Sequence, residues 1–104
     1  MAWVYLIIAG LLEIGFATSL KLTEGFTKIG PTIVFLMFSV LSFWCLTRAL
    51  TGIPIGMAYA IWTGIGAAGT VVVGALFFSE HLSAWQFFFL ATLVGSILGL
   101  KFIG

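Results

Sequence analysis

Polar residues are rare in this chain, and their positions divide it into four apolar runs. The first, MAWVYLIIAGLLEIGFATSL, holds one charged residue, Glu13, and stops at Lys21. A polar connection follows, and the second run opens at Pro31 and closes at Arg48 and Ala49. Thr51-Gly52-Ile53-Pro54 separates it from a third run, Ile55 to Phe78. Ser79-Glu80-His81-Leu82-Ser83 then leads into a fourth, from Ala84 to Phe102. Helices are expected over about 2–20, 31–49, 55–78 and 84–102. Nineteen residues rise about 28 Å as a helix, roughly the hydrocarbon thickness of a bilayer, so each run can span it. Pro31 suits a first helical turn, and Ser83 is placed to cap the fourth helix. Connections of roughly 4–10 residues make neighbouring helices antiparallel and leave no room for a soluble domain. The runs are too long, and too uniformly apolar, for the alternating strands of a barrel. The expected fold is all-α, a single transmembrane domain of four helices over residues 1–104.

Composition strengthens this reading. The chain is 62% hydrophobic and 7% charged, against about 25% charged for a soluble domain. It reads as a multi-pass protein of the cell's inner (plasma) membrane, with the lipid bilayer as its first partner. A net charge of +1 offers no basic patch, so nucleic acid is not an expected partner. The single Cys45 excludes an intrachain disulfide and a thiolate cluster. Metal spacing, a phosphate loop and a catalytic triad are all missing, so no metal, cofactor or enzymatic activity is expected. Ala17-Thr18-Ser19 imitates a signal-peptide cleavage site. The run before it lacks a basic start and is interrupted by Glu13, so it is expected to stay as a helix.

The helix faces carry the candidate chemistry. On the first helix Leu6, Ala9, Gly10, Phe16, Ala17 and Leu20 share the side of Glu13, at offsets of three, four and seven. Three of these are small, so other helices can approach the acid. On the second helix Phe35, Phe38, Ser39, Ser42, Cys45 and Ala49 form a stripe. On the third, Tyr59, Trp62 and Gly66 share one face, and Gly56, Ala60, Gly64 and Ala68 make a small-residue ladder on another. Gly64 and Gly66 weaken that helix and suggest a bend. Gly95 and Gly99 form a GxxxG on the fourth helix, a packing face for a second copy.

Glu13 is the only acid at mid-membrane depth, where an ionised group costs at least ~2.5–3.5 kcal/mol. Lys21, Arg48 and Lys101 all stand near helix ends, so none can pair with it there. One reading is a protonated packing residue. The functional reading is a site shared between a proton and a cation. Burial favours the acid form and a nearby cation favours the carboxylate, so such a group holds either ligand but not both. That exclusion is the simplest basis for antiport. Trp62 can offer a cation–π face, Tyr59 a hydroxyl to Glu13, and Ser42 a bond across helices, although back-bonding within its own helix is open to it as well.

Orientation follows the basic residues at helix ends. Lys21 and Lys28 lie on one side, Arg48 and Lys101 on the other, which gives no bias. Such a chain should insert both ways, and an up copy paired with a down copy would form an inverted repeat from two chains.

Glu13, Lys21-Leu22-Thr23-Glu24-Gly25-Phe26-Thr27, Ser42-Phe43-Trp44 and the run Ala58-Tyr59-Ala60-Ile61-Trp62 together resemble the small multidrug resistance transporters over the whole length. The resemblance implies an antiparallel, dual-topology dimer and proton-coupled export, with Glu13 as the shared site and Tyr59 and Trp62 lining it. Gly10, Phe16 and Ser42 are the other residues assigned to the lining. Trp62-Thr63-Gly64-Ile65-Gly66-Ala67 and Gly99-Leu100-Lys101 are similar to the guanidinium exporters. Phe16 departs from them, since a tryptophan usually stands there; phenylalanine keeps the aromatic face and loses the indole N–H. Ser42-Phe43-Trp44 is closer to the quaternary ammonium exporters. The expectation is a homodimer exchanging protons for small organic cations, foremost guanidinium and substituted guanidiniums. The alternatives are a quaternary ammonium exporter, half of a heterodimer with a paralogue, or a non-transporting membrane subunit.

Overall fold

The computed structural model describes residues 1–103. They form α1 (Ala2–Leu22), α2 (Ile29–Ala49), α3 (Ile55–Phe77) and α4 (Ala84–Ile103). All four are long and apolar enough to cross a membrane, which makes this a multi-pass membrane protein. The molecule measures 41 × 35 × 16 Å. Its thinnest dimension is little more than one helix diameter, so much apolar surface must face lipid or another protein.

α1 is the central element. It packs along both α2 and α3, while α2 and α3 hardly touch one another. The buried core gathers at one end, around the α2–α3 turn, from Leu6 and Ala9 of α1, Cys45 and Ala49 of α2, Ile53 of the turn, and Ala58, Ile61 and Trp62 of α3. Three alanines in this cluster let the backbones approach closely, which in a membrane substitutes for the hydrophobic effect. Cys45 behaves as a small apolar filler. α4 packs on α3 alone, and none of its residues is buried.

Helix limits depart from the expected ones for local reasons. α1 continues past Lys21 to Leu22 because Thr23 closes it. The Thr23 hydroxyl donates to the Leu20 carbonyl (2.7 Å) and accepts from the Phe26 N–H (3.3 Å). The chain then reverses through Glu24, Gly25 and Phe26, all at positive φ (47°, 73° and 66°). α2 starts at Ile29, which places Pro31 in the third position of the first turn, where its missing N–H is still harmless. α3 stops at Phe77, before Ser79 takes a positive φ of 54°. Ser83 and Gln86 form a reciprocal cap at the start of α4. The Gln86 N–H donates to the Ser83 hydroxyl (3.2 Å), and the Ser83 N–H donates to the Gln86 side-chain oxygen (2.9 Å).

The two membrane faces differ in charge. At one, Lys21 pairs with Glu80 (3.0 Å) and Lys28 with Glu24 (3.1 Å). At the other, Arg48 lies 5.8 Å from the rings of Tyr5 and Trp44, and Lys101 lies 5.6 Å from that of Trp3. The two ion pairs are more than half exposed and add little stability.

Candidate functional site

Glu13 sits just past the middle of α1, on the side that meets α3. Its Oε2 is buried, and no hydrogen-bond donor reaches it among the described residues. The surface against it is Gly66 of α3. A Cβ at position 66 would overlap the Glu13 carboxyl group, so the missing side chain is what makes room for the acid. Gly10, one turn earlier, is buried against Ile65, and a Cβ there would come within 2.7 Å of the Ile65 side chain. These two glycines let α1 and α3 close on each other just beyond Trp62, along the stretch from Gly10 to Glu13.

One turn from Glu13 the helices are tied by a polar chain. The Ser42 hydroxyl donates to the Ala9 carbonyl oxygen (2.7 Å) and accepts from the Trp62 indole N–H (3.0 Å). Ser42 is fully buried and Trp62 is 7% exposed. One hydroxyl therefore joins α1, α2 and α3, and bridges the gap between α2 and α3. Ser39, a turn away on the same stripe, instead donates to the Phe35 carbonyl of its own helix (2.8 Å).

Around this core runs a row of aromatic rings. Phe16 meets Phe35 edge-on at 6.0 Å and stacks on Phe43 at 6.2 Å. Phe43 meets Trp62 at 5.4 Å, and Trp62 meets Tyr59 at 6.0 Å. Phe43 was not among the sequence candidates, although it joins Phe16 to Trp62; only its position beside Ser42 signalled it. Tyr59 is 59% exposed, and its hydroxyl makes no bond to Glu13 within the protomer. The expected Tyr59–Glu13 contact is therefore missing from a single chain, because Tyr59 lies nearly two turns before Gly66 and points outward.

α3 runs as one α-helix through Gly64 and Gly66. The two glycines thin it on two sides. Gly66 admits Glu13, and Gly64 admits Ile97 of α4, whose Cδ1 would lie 2.7 Å from a Cβ there. Gly95 and Gly99 have open space in front of them within the protomer. Glu13, Gly10, Phe16, Ser42 and Trp62 are thus brought together, Tyr59 stands at the rim, and Gly95 and Gly99 lie apart on α4.

In chemical terms this is a half-buried carboxyl group with one oxygen buried and unpartnered, one turn from Phe16 and, among the described residues, in no ion pair. It can take a proton or a cation. Among the described residues no group of His, Cys, Asp and Glu stands where it could hold a metal.

Residues 1–93 match the family model described as Small Multidrug Resistance protein. The chain is 46% identical over 101 residues to a guanidinium exporter of Proteus vulgaris, covering 97% of both chains. It is 43% identical over 101 residues to a guanidinium exporter of Citrobacter freundii, covering 97% of this chain and 96% of the relative. One of Salmonella typhi is 44% identical over the same length and coverage. With its four spanning helices, its single intramembrane acid and a match of this extent, the chain belongs to the small multidrug resistance family.

Proposed function

We propose that this protein is a proton-coupled antiporter that exports small organic cations, foremost guanidinium and its substituted forms, across the inner membrane. The observation that carries the reading is the half-buried Glu13 carboxyl group, whose Oε2 is fully buried without a hydrogen-bond partner. A carboxylate there lacks a resident counter-charge, so the proton and the cargo take turns supplying it. Guanidinium keeps its charge at any physiological pH and cannot cross by shedding a proton. Its planar fork of N–H donors fits a carboxylate bidentately. The relatives named as guanidinium exporters support the same cargo.

The working unit is an antiparallel homodimer. An equal split of basic residues between the faces and the open Gly95–Gly99 side of α4 support it. A second copy would bring a second Glu13 to the shared site and would place Tyr59, which points away from its own Glu13, against the partner's half.

Purified protein in liposomes tests this. A guanidinium gradient should drive proton movement, and apparent cation affinity should weaken as pH falls, because protonation removes the carboxylate that the cation needs. Glu13→Gln should fold and dimerise yet lose coupled exchange to background, at least a hundredfold. A folded Glu13→Gln protein exchanging protons for guanidinium at the wild-type rate would overturn the proposal, since Glu24 and Glu80 lie in connections outside the spanning helices.

A second reading has one observation behind it. Phe16, Phe43 and Trp62 form an apolar wall with its only N–H engaged by Ser42, which suits a bulky quaternary ammonium ion that cannot hydrogen-bond. In the same vesicles a quaternary ammonium gradient that drives proton flux while guanidinium does not would favour it. Flux that appears only with a co-expressed paralogue would favour a heterodimer.

A further inference from the structure

A second recess lies about 100° round α1 from Glu13. α1 and α4 both pack on α3 and not on one another. A groove of about 450 Å³ is left between them. Ile7 and Ile14 line it from α1, Val94 and Leu98 from α4, and Gly69 and Val72 from α3. At one end it reaches Trp3 and Lys101, at the level where α4 approaches the membrane surface. The Lys101 ammonium lies 5.6 Å from the Trp3 ring and 4.7 Å from that of Phe102.

Lys101 is the only ionisable side chain along this groove. Among the described residues no carboxylate stands within ion-pair distance of it, and Glu24 and Glu80 are engaged at the opposite face. An occupant that suits these walls is apolar along nearly its whole length and negative at one end, with that end at headgroup depth. We propose that the groove binds an anionic phospholipid, with an acyl chain between α1 and α4 and its phosphate on Lys101. Trp3 adds an indole ring at the depth where tryptophan favours the headgroup boundary. A zwitterionic choline headgroup fits less well, because it brings its own ammonium next to Lys101. A recess of about 490 Å³ between α3 and α4 is lined by Glu80 and His81, and its carboxylate repels an anionic headgroup; one of about 390 Å³ on α2, lined by Leu36, Met37, Val40 and Leu41, offers no charge. Charge complementarity therefore singles out the Lys101 groove.

Native mass spectrometry of the purified, intact protein tests this, with phosphatidylglycerol and phosphatidylcholine of identical chains as probes. Wild type should bind phosphatidylglycerol about fivefold more tightly, the step one basic residue contributes at an anionic surface. Lys101→Gln should reduce that preference to about one while leaving total lipid binding in place, and Lys101→Arg should keep it. Val94→Trp, which fills the groove from the α4 side, should reduce binding of both lipids. Arg48→Gln, at the same face but outside the groove's lining, should leave the preference unchanged. A preference lost with Arg48→Gln and kept with Lys101→Gln would overturn the proposal in favour of general surface charge. Competition by millimolar glycerol phosphate would overturn it in favour of a free-phosphate site. Lipid binding indifferent to both Lys101→Gln and Val94→Trp would overturn it outright, whether the groove is empty or covered by a second copy.

Discussion

At the scale of single residues, two serines three positions apart on one helix face have different roles. Ser39 and Ser42 share a stripe of α2, and both can bond back to their own helix. Ser39 does; Ser42 is turned outward to Ala9 and Trp62. No pattern in the sequence separates them, because the difference is made by where α1 crosses α2, and a backbone carbonyl such as that of Ala9 leaves no trace in a list of side chains. Glu13, by contrast, is legible from sequence, since a lone acid in an apolar run has no ordinary explanation. Removing the Ser42 hydroxyl leaves a buried indole N–H without its acceptor. Ser42→Ala should therefore cost about 1–3 kcal/mol. Unfolding in mixed micelles, followed by helical circular dichroism, would measure it. A change below about 0.5 kcal/mol would mean that water or a relaxed Trp62 rotamer replaces the bond.

At the scale of elements, the glycines of α3 show what periodicity can and cannot say. Sequence places Gly64 and Gly66 on different faces, and the structure uses those faces as separate contacts, with α4 and with Glu13. Their weakening of the helix suggests a bend; the helix stays continuous through both, and each is closely packed by a neighbour. Helix ends are legible to within two residues, and the two-residue differences lie at Thr23 and Pro31, where a side-chain cap and a tolerated first-turn proline move the limit. Gly66→Ala separates the roles of the glycine. Alanine is the better helix former by about 0.8–1.0 kcal/mol, so the helix itself should not suffer. Its methyl group would displace the Glu13 carboxyl, and a misplacement of about 1 Å can cost up to 100-fold in rate. Guanidinium-driven proton flux should fall on the order of tenfold to a hundredfold in a variant that elutes as wild type does. Unchanged flux would mean that Glu13 adopts another rotamer at no cost to the cycle.

At the scale of the whole molecule, the four-helix architecture is written in the apolar runs, whereas the way the helices share contacts is not. All four runs look alike in hydrophobicity, yet α1 is central and α4 peripheral. Small residues at Ala9, Ala49 and Ala58 decide this by the distances they permit. The charges make a prediction at this scale. Among the described residues Lys21 and Lys28 are paired with acids and Arg48 and Lys101 are not, but topology follows the basic residues and acids count little. The native sequence expressed alone should therefore insert in both orientations, and Lys28→Ala should shift the ratio. Reporters fused to the C-terminus and read on each side of the membrane would show it, and a single orientation for the native sequence would contradict the homodimer.

The one-sided attachment of α4 has a mechanical consequence. Three helices share a buried core and must yield together, while the fourth hangs from α3 by contacts such as Ile97 on Gly64. Under load the protomer is a stiff block with a compliant arm, and strain concentrates in the 78–83 joint. Pulled from its C-terminus out of a bilayer by a cantilever, a single chain should give way in two steps. α4 should peel off at low force, and α1 to α3 should follow in a larger rupture. A single event in which all four helices release at once would mean that stiffness is spread evenly through the chain.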